Sequence, residues 1–363
     1  MHRLSLWLLL LLVGGLASAQ TETPDQGAAN GESATVQLET ILVTGEQPGP
    51  GLWKVSKGEH VLWILGTVSP LPKKMVWLAP ATEAVIAESS EIIAPPRATV
   101  GIGWFKAMTM MPTLMGARKN PDGIKLKDVV PADLYARWQV QKQRYLGKDK
   151  DSEGWRPIFA GSELYARAID KSGLADTGVV WPVVRKLAKK HRIPVTRPLL
   201  KLEIQHARKT VKNFRKSELD DLACFDRLLD RVEHQLPALA ERANAWAVGD
   251  LAALRQQDYS DLTNPCWTAI MQSSFVADQK LGDLEQRLDQ LWFDAAEKAL
   301  AAHRQSFAQL SINTLIEADG YLARLAAKGY RVEAPDDLAP PTSEGEPGPA
   351  TDPDARAATV EVP

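Results

Sequence analysis

The 363-residue chain is 45% hydrophobic and 24% charged, ordinary values for one large or two globular domains. Its formal net charge of −2 is unevenly spread: residues 20–50 carry five acids and no base, residues 335–363 carry seven acids and one base, and the body at 51–334 is left at +8. A basic body between acidic tails points to an anionic partner, and no recognisable nucleic-acid-binding motif accompanies it.

The first residues read as an export signal. His2 and Arg3 form a short basic end, Leu6 to Val13 an apolar run, and Ala17-Ser18-Ala19 a small-x-small cleavage site before Gln20. Residues 1–19 are therefore expected to be a signal peptide, with cleavage near Ala19 and a periplasmic or secreted product. No cysteine follows to carry a lipid, and no later stretch is apolar enough to cross a bilayer, so a transmembrane protein is not expected. Residues 20–50 read as a flexible linker ending in Gln47-Pro48-Gly49-Pro50-Gly51, with Val36–Val43 as a short strand or docking segment.

Two β-rich runs, Leu52–Val55 and His60–Leu65, flank the polar turn Ser56-Lys57-Gly58-Glu59, which predicts a hairpin. The second run does not alternate, as expected of a strand buried on both faces. It ends in the glycine turn Gly66-Thr67-Val68-Ser69-Pro70, at the end of a strand where α/β sheets hold ligands. A helix follows over Ala79–Ser90, with Pro80 in its first turn, and then a strand at Glu91-Ile92-Ile93 that runs into Ala94-Pro95-Pro96.

Residues 101–122 are rich in methionine and aromatics: Trp104, Phe105, Met108, Met110, Met111, Leu114 and Met115. A core helix is the simpler reading, an adaptable binding groove the other. Helical patterns run over Leu126–Asp170, Val183–His191, Leu219–Asp258 and residues 281–304, with Ile193-Pro194-Val195 as a short strand. Segment 185–216 is strongly basic, and Arg208, Lys212 and Arg215 share one helical face. That face is either simply solvated or a site for anionic polysaccharide or lipid head groups. Near the end, Phe307–Leu310 suits a strand, Ile316–Lys328 a helix and Gly329–Glu333 a last strand; residues 335–363 read as a disordered acidic tail.

The even count of two cysteines in an exported chain favours one disulfide, Cys224–Cys266, over two separate buried thiols. Neither lies in a CxxC or beside a histidine cluster, so zinc or thiol chemistry is not indicated.

Several of these stretches resemble the TraB/GumN family, which includes the TIKI metalloproteases. They are Leu52-Trp53-Lys54-Val55-Ser56, Leu65-Gly66-Thr67, Leu71-Pro72-Lys73, Trp77-Leu78, Trp155-Arg156-Pro157 and its following Leu164-Tyr165, then Gly320, Leu325, Gly329-Tyr330 and Val332. The likeness covers roughly residues 51–334. It implies an α/β fold with a central mixed sheet flanked by helices, related to the erythromycin-esterase-like and ChaN-like proteins. The sheet is expected from the N- and C-terminal thirds, with a mostly helical insertion at about 126–304.

The resemblance also implies a metal site, and there the chain departs from it. Family members carry Gly-x-x-His after the second strand, where this chain has Ser69. A glutamate usually ends the next strand, where Ala94-Pro95-Pro96 stands, and Ser311-Ile312-Asn313-Thr314 replaces a second Gly-x-x-His. The family's arginine is missing around Asp289–Phe293. Gly66, Thr67, Ser69, Ser311 and Thr314 are thus read as a vestigial cleft, with Glu91 as a nearby acid.

Neutral hydroxyls are poor transition-metal ligands, so no metal and no cofactor is expected. The six histidines form no HxH, HxxxH or HExxH, and Ser69 is not in a GxSxG elbow. The sequence thus reads as a pseudoenzyme that binds an anionic envelope polymer or another protein. The alternative is a metal-dependent peptidase with relocated ligands.

Overall fold

The computed structural model describes residues 49–100, 104–203, 206–216, 219–256, 264–273, 276–277, 279–317 and 319–338. The expected signal segment 1–19, linker residues 20–48 and the tail from 339 onward lie outside the described residues. Strands Leu52–Lys57 (β1) and His60–Thr67 (β2) pair antiparallel, Leu52 opposite Leu65 and Lys57 opposite His60. The loop between them is just Gly58-Glu59, shorter than the four-residue turn the sequence predicts. Gly58 takes φ +61°, which a two-residue hairpin loop accepts most readily from glycine.

After β2 the chain runs through Leu71–Pro72 (β3), helix Pro80–Glu88 (α1), Ile92–Ile93 (β4), Arg97–Val100 (β5) and helix Trp104–Ala117 (α2). Helices Ala132–Tyr145 (α3) and Pro157–Lys171 (α4), strand Leu174–Ala175 (β6), helix Trp181–His191 (α5) and strands Val195–Thr196 (β7) and Leu199–Leu202 (β8) follow. Next come helices Ala207–Lys216 (α6), Leu222–Asp230 (α7), Leu236–Ala247 (α8), Leu251–Arg255 (α9), Asn264–Met271 (α10) and Leu284–Ala302 (α11). The chain then forms Gln305–Ser311 (β9), Ile312–Ile316 (α12), Tyr321–Ala327 (α13), Arg331–Glu333 (β10) and the short Pro335–Leu338 (α14).

Six strands make one mixed sheet in the order β10-β1-β2-β9-β4-β7. β2, β9, β4 and β7 run parallel, and β1 is antiparallel to both β2 and β10. β9, from the last part of the chain, fills the centre between β2 and β4. Parallel strands covered on both faces should be apolar throughout. Accordingly Leu62, Ile64, Leu65, Ile92, Ile93, Phe307 and Ala308 are buried, packed with Ile86 of α1, Val184 of α5, Trp246 of α8 and Trp292 and Phe293 of α11.

The middle of the chain is largely helical and has its own core, in which Trp138, Leu164, Phe225 and Leu229 are fully buried. It also supplies β7, the edge strand of the main sheet, and helices α5, α8 and α11 that pack into the main core. Cys224 on α7 and Cys266 on α10 are joined, as expected, fastening two helices of this part.

Two terminal expectations need adjustment. The helix predicted over Ile316–Lys328 forms only from Tyr321 (α13); Gly320 lies directly before it, and the separate short helix α12 ends at Ile316. A side chain at Gly320 would lie 2.5 Å from the Thr314 carbonyl, so the glycine permits this close turn. The first residues assigned to the acidic tail, Pro335–Leu338, instead form α14, which is held by side-chain contacts. Arg255 Nη1 lies 3.0 Å from Asp336 Oδ2, and the Ala334 amide donates to Asp337 Oδ2 at 2.9 Å.

Candidate functional site

The parallel strands β2 and β9 end side by side, with Thr67 opposite Ser311 in the register. The glycine before this end is required by packing: a Cβ on Gly66 would lie 2.5 Å from the Trp53 ring and 3.1 Å from Leu315. Trp246 of α8 closes over the same point, its indole Nε1 donating to the Gly66 carbonyl at 2.6 Å. α12 starts directly after β9, so Asn313 and Thr314 are buried beneath the turn. Gly66, Thr67, Ser69, Ser311 and Thr314 are therefore brought to one end of the sheet.

Glu91 is not among them. It precedes β4, its carbonyl accepts from the Phe307 amide, and the pairing of Ile92 with Phe307 sets it level with Ser306, five residues and about 16 Å along the strand from Ser311. Its carboxylate accepts from the Thr196 hydroxyl and faces His303 Nε2 at 3.3 Å. His60 is half-buried there, its Nδ1 2.8 Å from the His303 carbonyl. This group ties the amino ends of β2, β9 and β4 to Thr196 of β7, away from the cleft.

Three of the cleft hydroxyls donate to main-chain carbonyls within the protein. Thr67 Oγ1 donates to the Leu310 carbonyl at 3.0 Å, Thr314 Oγ1 to the Ser311 carbonyl at 2.8 Å, and Ser69 Oγ to the Asp176 carbonyl at 2.7 Å. Charge arrives from the helical middle of the chain. Arg242, buried on α8, donates from Nη2 to the Ser69 carbonyl. Arg231, buried in the π-helical turn Arg231–Gln235, acts electrostatically on Asp176 together with Arg242. Burial pushes the Asp176 carboxyl upward in pKa, against the opposing pull of Arg231, Arg242 and the Ser69 hydroxyl. Burial likewise lowers the Arg231 guanidinium, with Asp176 acting in the opposite sense.

The metal that the family resemblance implies does not fit this set. A transition ion needs imidazole, thiolate or carboxylate donors. Ser69 and Thr314 offer hydroxyls already donating to carbonyls, and a dication beside Ser69 would meet the Arg242 guanidinium. Among the described residues, Asp176 is the carboxylate drawn into this arrangement, and it already feels the charges of Arg231 and Arg242. Among the described residues, no three histidine, cysteine or carboxylate side chains are grouped to hold a metal ion elsewhere.

Sequence reasoning missed Arg231, Arg242 and Asp176. The usable signal was an arginine on an apolar helical face: Leu239, Arg242, Ala243 and Trp246 follow i, i+3, i+4, i+7 spacing and are all buried. The basic-face residues Arg208 and Lys212 lie on the exposed side of α6, apart from the cleft residues in sequence and packing. Arg215 belongs to the same helix, and its side chain lies outside the described part of the structure. Among the described residues, no helix is long and apolar enough to cross a membrane.

No curated protein and no solved structure matched the chain. A family model does: that of the TraB/PrgY/gumN family matches residues 51–334, more than three quarters of the sequence. With Gly66-Thr67 at the end of β2 and Gly329-Tyr330 before β10 falling inside this match, the chain belongs to the TraB/PrgY/gumN family.

Proposed function

We propose that this protein is a non-catalytic member of its family, exported from the cytoplasm, that acts by binding an anionic envelope polymer or another protein. One observation carries the reading: Arg242, a fixed cation, reaches the Ser69 carbonyl where the family's metal-binding motif would stand. The first-motif and second-motif hydroxyls are turned to main-chain carbonyls, which leaves them poorly suited to hold an ion that acidifies water. The joined Cys224–Cys266 pair supports an oxidising compartment, and the +8 body supports an anionic partner.

A direct test is hydrolysis of a peptide library by the mature, oxidised protein supplied with zinc, manganese or cobalt. We expect turnover indistinguishable from the buffer control with each metal. Metal-dependent cleavage that co-purifies with the protein and is abolished by a chelator would overturn the proposal.

A further inference from the structure

We propose that α2 and α6 together form a docking surface for a membrane with anionic head groups. This gives the partner class for the basic face in the reading above. It rests on that reading for export alone, and the vesicle experiment below is independent of whether the cleft binds metal.

The methionines of α2 were read from sequence as a core cluster, with a binding groove as the second possibility. The structure leaves three of them in solvent: Met108 is 60% exposed, Met111 36% and Met115 53%. Their i, i+3, i+7 spacing puts them on one helical face, with the exposed Pro112 alongside. Unbranched thioether side chains adapt to irregular apolar surroundings, so such a face suits a fluid partner.

α6 supplies the charge. Its Ala207, Val211 and Phe214 are buried against Ala117 at the end of α2, which turns Arg208, Lys209 and Lys212 to solvent. Arg208 also donates from Nη2 to the Thr109 carbonyl at 3.4 Å, placing a guanidinium one residue from Met108 on the neighbouring helix. Neither α2 nor α6 contains an acidic residue. The two helices follow corresponding strands: β5 and β8 pair in parallel and lead into α2 and α6 respectively.

An apolar stripe edged by cations, without acids, is the composition of an element that lies in a bilayer interface. The methionines meet the acyl boundary and the lysines and arginine meet anionic head groups. A soluble polyanion would engage Arg208, Lys209 and Lys212 and leave the methionine face idle. Charge complementarity together with that face therefore favours the lipid surface.

The test is co-sedimentation of the mature full-length protein with vesicles of phosphatidylcholine alone or mixed with phosphatidylglycerol. We expect binding to the mixed vesicles at low salt, and a loss of at least about tenfold in partitioning both for R208E/K212E and for M108D/M115D. All four positions are exposed, so circular dichroism and melting should match the unmodified protein. Methionine footprinting keeps the test independent of the variants: peroxide oxidation of Met108, Met111 and Met115 should fall when mixed vesicles are added. Failure to bind mixed vesicles, or unchanged footprints, would overturn the proposal. Full binding by M108D/M115D would also overturn it, and would assign the basic face to a polyanion.

Discussion

Asp221, buried directly before α7, accepts from the Ile158 amide at 2.8 Å through Oδ2 and so serves the first turn of α4. Burial raises its carboxyl from the ordinary 3.8 to about 6, against the pull of the Ile158 amide and Arg156. The sign follows: the folded protein holds this proton more tightly than the unfolded chain, so the contribution is greatest below the unfolded value and is lost as pH rises through about 6. The shift corresponds to about 3 kcal/mol. Asp221→Asn keeps an acceptor for the Ile158 amide and removes the titration. We expect urea denaturation to show the unmodified protein losing stability relative to Asp221→Asn between pH 4 and 6. Parallel pH profiles for the two proteins would contradict this assignment. Arg242 and Arg231 show why such sites are hard to read from sequence. Spacing can put an arginine on an apolar face, but the carbonyl or carboxylate that satisfies it comes from elsewhere: Ser69 lies 173 residues from Arg242.

Among the elements, the β1–β2 hairpin was legible because a glycine turn separates two β-rich runs, which bury Trp53 and Val55 on one strand and Leu62, Ile64 and Leu65 on the other. α6 was legible as an amphipathic basic helix, since Ala207, Val211 and Phe214 recur at core spacing. α2 was not, because a methionine stripe has the same pattern whether it meets a core or a partner. The late start of α13 after Gly320 was missed for a different reason, as it answers a close approach to the Thr314 carbonyl that one sequence cannot display. The disulfide was legible from compartment and count, and its energetic role belongs at this scale. It closes a segment with a sequence separation of 42 between α7 and α10. Chain entropy predicts that C224A/C266A lowers the unfolding free energy by about 4 kcal/mol in urea denaturation. A loss below about 0.5 kcal/mol would show that this tether does little for stability.

In the whole molecule, β9 joins the ends of the chain into one sheet. Its insertion between β2 and β4 places Thr67 opposite Ser311, although the two are separated by most of the protein. The family motifs made that meeting legible before any coordinates, because they mark two turns that serve a single cleft. Its charge was not legible, because Asp176, Arg231 and Arg242 come from the helical middle and carry no motif. Glu91 illustrates the same limit: it is near the cleft in sequence, but the register of β4 with β9 carries it to the amino ends of the strands. On the proposed reading, the cleft holds the Arg242 guanidinium in place of a metal ion. The most direct measurement is calorimetric titration of the chelator-treated, oxidised protein with zinc, manganese and cobalt, checked by elemental analysis. We expect no stoichiometric tight site; one equivalent of tightly held metal, weakened by Ser69→Ala or Thr314→Val, would contradict it.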